Sequence, residues 1–430
     1  MTEKKEEIVG DVGLAILNVK EVNDIAYIPN YADKLKKGGS LIVISKEEEL
    51  GNIIDDVILK GLDMKRLLVN VPKTYERHDD NYSTNKLYIT WAVDVSTKNR
   101  ADERWVFNKP EHLTFHTGAF EHDNVSELYK EIVSIHSDED TKIITNTQSV
   151  YDLVKEQRDN VELVQEDVEY IIEDLPKMEI VKNKELEVKI NEIVQEDCFD
   201  LLANIEPNSV DLVVTDPPYN ISVENSAGAY GKGRHGMDFG AWDFGFDTEK
   251  WLNYLAPVVK EGGSVLIFNS YKNIGIMTKV MKEYGYELKG IPFWLKTNPI
   301  PHLGHRRYVS SMEHAVWFVR TNGKEDVEYT FNMPKGSKFE RGVFRISHHD
   351  KQNERFHTTQ KPVKLFNEII RIHSNKGDVV LDTFMGSGTT AVCSQGLGRD
   401  FIGCELSDEY FDKTTARVEK NKRKPMSLWG

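Results

Sequence analysis

The chain has 430 residues, more than one hydrophobic core ordinarily supports, and a composition of 39% hydrophobic and 29% charged residues that is typical of a globular, water-soluble protein. Three cysteines (Cys198, Cys393 and Cys404) are too few for a disulfide framework or a cysteine-built zinc site. No apolar run approaches the roughly 18 residues of a membrane span and the start "MTEKKEEIVGDVG" has no apolar core of a secretory signal, so a cytoplasmic protein is expected. The net charge of −15 argues against a polyanionic partner until its distribution is read. Residues 1–180 hold 22 basic and 37 acidic residues, 22 − 37 = −15, whereas residues 181–430 hold 33 of each.

Taken in chain order, the elements occur twice. "YADKLKKGGSLIVIS" (31–45) predicts a helix stopped by a Gly-Gly pair and then an apolar strand, and "LAPVVKEGGSVLIFN" (255–269) repeats it. "HDDNYST" (78–84) parallels "HRRYVSS" (305–311), and "FHT" occurs at 115–117 and 356–358. The amphipathic helix "ELYKEIVSIHS" (127–137) returns 364 − 127 = 237 residues later as "KLFNEIIRIHS", identical at six of eleven positions. "VELVQEDVEY" (161–170) parallels "FIGCELSDEY" (401–410). Both halves alternate short apolar strands with helical stretches, the rhythm of a mostly parallel, doubly wound α/β sheet. The charged stretch 173–193 between the copies places a boundary near 180, giving domains 1–180 and 181–430.

Chemistry-bearing motifs lie in the second copy. "DLVVTDPPYN" (211–220) runs an apolar strand into Asp216, Pro217, Pro218 and Tyr219. Ligands of doubly wound sheets gather at the carboxyl ends of strands. Two prolines stiffen the turn and present carbonyl acceptors, so a carboxylate, a carbonyl and an aromatic ring suit a planar group bearing an NH2. "GDVVLDTFMGSGTTAV" (377–392) is a strand, a turn opened by Gly386 and Gly388, and a helix start, with Asp382 at the strand end. It lacks both the full dinucleotide fingerprint and a phosphate-loop lysine. Glu405, at the tip of the next strand, occupies a position that commonly holds ribose hydroxyls. A nucleoside-type cofactor across two strand ends is the expectation.

The order "TDPPYN", "FWLKTNPIPHLGHRRYVSSMEHAVWF", "TQKPVKLFNEIIRIHSNKGDVVLDTFMGSGTTAVCSQGLGRDFIGCELSDEYF" resembles the β-type DNA amino-methyltransferases over about 188–420. The resemblance implies Rossmann-like methyltransferase sheets and transfer of a methyl group from S-adenosyl-L-methionine to the N6 amine of adenine or the N4 amine of cytosine in DNA, after the base is flipped from the duplex. It implies that Asp382, Phe384, Gly386, Gly388 and Thr389 lie near the cofactor's methionine part, with Lys361 and Pro362 of "TQKP" closing over that end. Glu405 would take the ribose, Asp197 and Cys198 would meet the cofactor adenine, and Asp216, Pro217 and Tyr219 would hold the target base. Asp at the start of the motif favours adenine, Ser favours cytosine, and neither base is excluded. No metal is expected. Lys296, Arg306 and Arg307 are candidate DNA contacts, and the glycine- and aromatic-rich stretch 225–247 has the character of a DNA-contacting loop.

The first copy lacks these motifs. No Pro-Pro pair precedes residue 217; Thr145 stands opposite Asp382, Gln165 opposite Glu405, and Asp79–Asp80 opposite Arg306–Arg307. The expectation is two tandem sheets, the N-terminal one a degenerate, acidic methyltransferase-like domain. It would serve as a covalently attached pseudo-partner in a family whose members often form homodimers, or contact another protein. The reading from a different class, a non-catalytic DNA-binding or regulatory protein on a methyltransferase fold, fits the first half better than the second.

Overall fold

The computed structural model describes residues 11–20, 22–46, 49–60, 62–70, 87–93, 119–120, 125–165, 177–220, 245–298, 311–333, 342–347, 356–357 and 359–422. The chain divides into two compact units, one within residues 1–173 and 299–311 and the other within 174–298 and 312–430.

In the first unit β1 (Val12–Asn18) leads through α1 (Tyr27–Lys34) to β2 (Leu35–Ser45), then α2 (Leu50–Leu59), β3 (Asp63–Asn70), β4 (Leu87–Val93) and β5 (Ala119–Phe120). Helix α3 (Val125–His136), β6 (Ile143–Thr145), α4 (Gln148–Lys155) and β7 (Val161–Leu163) complete it. Among the described residues the sheet runs β5-β3-β4-β2-β1-β6-β7, with β7-β6-β1-β2 parallel and β4 antiparallel to both β2 and β3.

The second unit begins with an extended segment, in which the Met178 amide donates to Asn253 Oδ1 at 2.9 Å and the Val181 amide to the Tyr254 hydroxyl at 2.9 Å. It continues with β8 (Glu192–Val194), α5 (Cys198–Leu202), β9 (Val210–Thr215), α6 (Thr248–Leu255), β10 (Val259–Asn269) and α7 (Ile274–Glu283). Next come β11 (Tyr286–Gly290), β12 (Phe293–Lys296), β13 (Met312–Arg320), β14 (Val343–Ile346) and α8 (Val363–His373). The unit ends with β15 (Val379–Asp382), α9 (Thr389–Leu397), β16 (Asp400–Cys404) and α10 (Asp408–Lys422). The sheet order is β14-β12-β13-β10-β9-β15-β16-β8, with β11 paired to β13. Strands β16-β15-β9-β10 are parallel, while β13 is antiparallel to β10 and β12. Strand order and direction therefore match the first sheet from β7/β16 through β5/β14. Each sheet is mostly parallel, in line with the strand-helix rhythm, with one antiparallel strand among the described residues, β4 in the first and β13 in the second.

The Gly-Gly pairs do not stop helices as expected. Helices α1 and α6 end at Lys34 and Leu255, and each glycine pair lies inside the following strand, at a register shift between Val12 and Leu14 or between Val259 and Ser264. Gly38 and Gly262 have φ of 78° and 77°, a left-handed bulge that a β-carbon disfavours.

The duplicated helices explain their own repetition. Leu128, Tyr129, Ile132, Val133 and Ile135 of α3 are buried on the first sheet's core, and Leu365, Phe366, Ile369, Ile370 and Ile372 of α8 are buried in the second unit. An apolar stripe at helical spacing covers one face of a sheet in each unit, each side chain contributing about 1.5–3 kcal/mol as an upper bound. Beneath each helix end lies the same polar cluster. Trp91 Nε1 donates to Ser40 Oγ at 3.2 Å and meets the tilted ring of His136, and Arg158 donates to Ser137 through Nε at 3.1 Å. Trp317 Nε1 donates to Ser264 Oγ at 3.2 Å and meets His373 edge-on, and Arg399 donates to Ser374 through Nε at 3.1 Å. Among the described residues no helix is long and apolar enough to cross a membrane.

Candidate active site

Strand β9 ends at Thr215, which delivers Asp216, Pro217, Pro218 and Tyr219 to the carboxyl edge of the second sheet. The prolines are buried and Asp216 is partly buried. The Tyr219 hydroxyl donates to Asp216 Oδ1 at 2.6 Å. Asn273 Nδ2 donates to the Tyr219 carbonyl at 3.1 Å, and Asn220, at φ 53°, exchanges two amide hydrogen bonds with Phe246 at 2.7 and 2.9 Å. The motif turn is thus held on both sides. Burial pushes the Asp216 carboxyl above its usual pKa against the pull of Lys361.

On the neighbouring strand, Asp382 is 3% exposed. Thr215 Oγ1 donates to its Oδ1 at 2.7 Å, the Phe384 amide to Oδ1 at 3.0 Å, and Thr390 Oγ1 to Oδ2 at 2.5 Å. Burial raises its pKa to about 6, with these donors pulling the other way. Both oxygens are engaged, so Asp382 ties the ends of β9 and β15 to the start of α9. Gly386 and Gly388 have φ of 51° and 73°. A β-carbon on Gly388 would stand 2.6 Å from Thr414 Cγ2, so only glycine fits where the turn meets α10. Thr389 Oγ1 donates to the Lys361 carbonyl at 3.3 Å, and Pro362 caps α8.

Glu405 follows β16. Its Oε2 accepts from the Gly386 amide at 2.7 Å and its Oε1 from the Ser407 amide at 2.9 Å, while burial raises its pKa. Each oxygen retains a lone pair for a hydroxyl donor. Asp197 is the N-cap of α5, accepting from the Phe199 amide at 2.8 Å. Cys198 is 6% exposed, and burial first, then the Asp197 charge, push its thiol far up.

Sequence reasoning missed three contributors. Phe246, Trp251 and Phe199 join Phe384 in an aromatic wall, with Phe384 edge-on to Phe246 at 5.3 Å and to Trp251 at 5.6 Å, and Phe199 stacked on Phe246 at 6.3 Å. Trp251 Nε1 also donates to Thr383 Oγ1 at 3.2 Å. His357, whose ring lies 4.2 Å from that of Tyr410, is the nearest side chain to a β-carbon built on Gly386. The aromatic richness of 225–247 was the only available signal, and it did not reveal which ring would turn inward.

Two placements differ from expectation. The Lys361 backbone meets the cofactor turn, but its side chain goes to Asp216: the ammonium bonds Asp216 Oδ2 and lies 3.1 Å from Glu313 Oε2. Lys296 is no exposed phosphate contact; it pairs with Glu313 Oε1 at 2.5 Å and covers the Trp294 ring at 5.1 Å, with its side chain 17% exposed. The physical reason is shared: a carboxylate enclosed beside the sheet must be neutralised, and Glu313 recruits both lysines. Arg306, Arg307 and most of the 225–247 stretch lie outside the described residues.

Residues 210–416 match the model of the N6_N4_Mtase family, described as DNA methylase. The chain is 30% identical over 259 residues to the type II methyltransferase M.HinfI of Haemophilus influenzae, covering 56% of this chain and 71% of that protein. It is 32% identical over 243 residues to the type II methyltransferase M2.DpnII of Streptococcus pneumoniae, covering 53% of this chain and 89% of that one. This chain is a DNA amino-methyltransferase. A solved M1.HpyAVI–SAM complex aligns with the methyltransferase at a TM-score of 0.40 and 33% identity, over 53% of this chain and 98% of that one.

S-adenosylmethionine is the methyl donor of the enzyme, and the site's donor set fits it. A positive-φ glycine turn gives close backbone approach, Glu405 offers carboxylate acceptors for hydroxyls, and an aromatic wall stands beside the turn. When bound, the cofactor supplies a methyl group already activated by its sulfonium charge.

Proposed function

We propose that the second half methylates the N6 amine of adenine in DNA, with Asp216, Pro217 and Tyr219 holding the flipped base and Gly386, Gly388, Phe384 and Glu405 holding the methyl donor. One observation carries this reading: the amine-accepting motif and the glycine turn end adjacent parallel strands and are tied by the Thr215–Asp382 hydrogen bond of 2.7 Å. Two reactants held at neighbouring strand ends are converted to an intramolecular pair. An exocyclic amine is a poor nucleophile because its lone pair is delocalised into the ring. Asp216 and the Pro217 carbonyl, accepting from its two N–H groups, draw the nitrogen towards sp3 and localise that pair. Tyr219 covers the base face, offsetting part of the few kcal/mol of unstacking. The nitrogen becomes acidic only once methylated, and Asp216, its pKa raised by burial, is then the base within reach. Asp at the first motif position favours adenine over cytosine, on the family resemblance.

The first half is, on this reading, a degenerate copy. The matching strand order and the paired Trp–Ser–His–Arg clusters support common descent. Strand register sets Asn18 opposite Asp216, Thr145 opposite Asp382 and Gln165 opposite Glu405. Every carboxylate has become an amide or a hydroxyl. The Asn146 side chain exchanges hydrogen bonds of 2.8 and 2.9 Å with the Asn18 backbone, and Gln165 donates to the Asn146 carbonyl at 3.1 Å, tying these strand ends to one another.

The test is incubation with labelled S-adenosylmethionine and unmethylated duplex DNA, followed by digestion and identification of the labelled nucleoside. N6-methyladenine that disappears in Asp216→Ala is expected. N4-methylcytosine would overturn the base assignment, and label retained in Asp216→Ala would overturn the role of Asp216.

A further inference from the structure

Four charges alternate through the second unit: Asp216, Lys361, Glu313 and Lys296. Lys361 is the centre, its side chain 7% exposed. It occupies the surroundings that the proposed function reserves for the target amine. It donates to the Asp216 carboxylate that the amine would use, and its nitrogen lies 5.7 Å from the Tyr219 ring centroid and 5.5 Å from that of Phe268. An enclosed ammonium is costly without full pairing. Lys361 has a second partner in waiting. Glu313 Oε2 lies 3.1 Å from it yet accepts no aligned hydrogen bond among the described residues, whereas Oε1 is already committed to Lys296.

We propose that Lys361 is a placeholder for the target amine: it keeps Asp216 ionised and aimed while the base is absent, and transfers its hydrogen bond to Glu313 Oε2 when the amine arrives. This rests on the methyltransfer reading of Asp216. Without such an occupant, a carboxylate aimed into an apolar, tyrosine-walled pocket would take up a proton and lose its capacity to accept from the amine. With it, ion pairing opposes burial, and the exchange of one N–H donor for another leaves the total charge unchanged. The backbone carbonyl of Lys361 receives the Thr389 hydroxyl at 3.3 Å, so the same residue also touches the methyl-donor turn. Base arrival and cofactor seating therefore meet at one side chain and its own backbone. Lys361 and Glu313 are positioning residues that act through Asp216.

The groups facing this centre are Asp216 and Tyr219 after β9, Asp382 of β15, Glu313 and His314 of β13, and Lys296 of β12. The experiment compares the full chain with Lys361→Met and Glu313→Gln, reading S-adenosylmethionine affinity by calorimetry and kcat/KM for duplex DNA from pH 5.5 to 9. In Lys361→Met the acid limb should move up by about one unit or more, so the loss approaches about tenfold on the acid side of the limb and fades towards pH 8, with cofactor affinity unchanged within about threefold. In Glu313→Gln, Lys361 has no charged site to move to, so KM for DNA should rise about tenfold while cofactor affinity holds. An unmoved acid limb with weakened cofactor binding in Lys361→Met would overturn the placeholder and return Lys361 to the cofactor's methionine end. If Lys361→Met does not fold, Glu313→Gln decides alone: KM and kcat both unchanged would overturn the transfer. An inactive wild-type chain on any nucleic acid would instead defeat the methyltransfer reading, a separate outcome.

Discussion

At the scale of single residues, the fold gives one carboxylate a structural task that the sequence does not show. Asp382 reads from sequence as a counter-charge for a ligand; in the fold, two threonine hydroxyls and a backbone amide also donate to it. Its pKa of about 6 has a definite consequence for stability. A carboxyl whose folded pKa is raised favours the folded state when protonated, so its contribution improves as pH falls through 6 and is complete near 4, the unfolded value. Against Asp382→Asn, the wild type should gain about 2 kcal/mol between pH 7 and pH 4 from this group alone. Chemical denaturation of both chains across that range measures it; parallel pH profiles would show that Asp382 titrates normally.

At the scale of elements, each duplicated helix ends on a buried histidine. His136 and His373 are held neutral, with burial lowering both pKa values to about 3, and His314 on β13 is lowered to about 4 by burial, partly opposed by Glu313. A depressed basic pKa works opposite to Asp382: the unfolded chain binds protons below 6.5 and the folded chain does not. Each histidine therefore costs stability as pH drops from about 6.5 towards 4, approaching about 1.4 kcal/mol per unit. Replacing His373 with Asn should flatten the acid side of the unfolding profile. The repeat was readable in "IHS" because the helix end, the tryptophan and the arginine form one packed cluster. That the arginine belonged to it was not readable, since Arg158 and Arg399 reach Ser137 and Ser374 from the far end of the next helix.

At the scale of the whole molecule, two similar sheets carry unequal chemistry. The second unit has a glycine turn, the Glu405 carboxylate and an aromatic wall; in the first, the Asn146 side chain bonds the Asn18 backbone at the corresponding strand ends. The full chain should therefore bind one equivalent of S-adenosylmethionine in a calorimetric titration, and Gly388→Ala, which forces a β-carbon against Thr414, should abolish it. Two equivalents would mean that the first half retains a cofactor site.

The sequence by itself determined the α/β rhythm, the internal repeat and the placing of motif and glycine turn at strand ends, because these rest on local periodicity and on backbone restriction by proline and glycine; that the two strands are neighbours came from the fold. The same residues located Asp216, Tyr219 and Glu405 at those ends. Only the tertiary structure decided who neutralises whom. Lys361 and Lys296 read from sequence as a cofactor contact and a phosphate contact, and both turned to Glu313, one of them also to Asp216. Charge pairing inside a fold is set by which side chains meet across 145 residues of chain, as Lys361 and Asp216 do, and such a meeting leaves no periodic trace in the sequence.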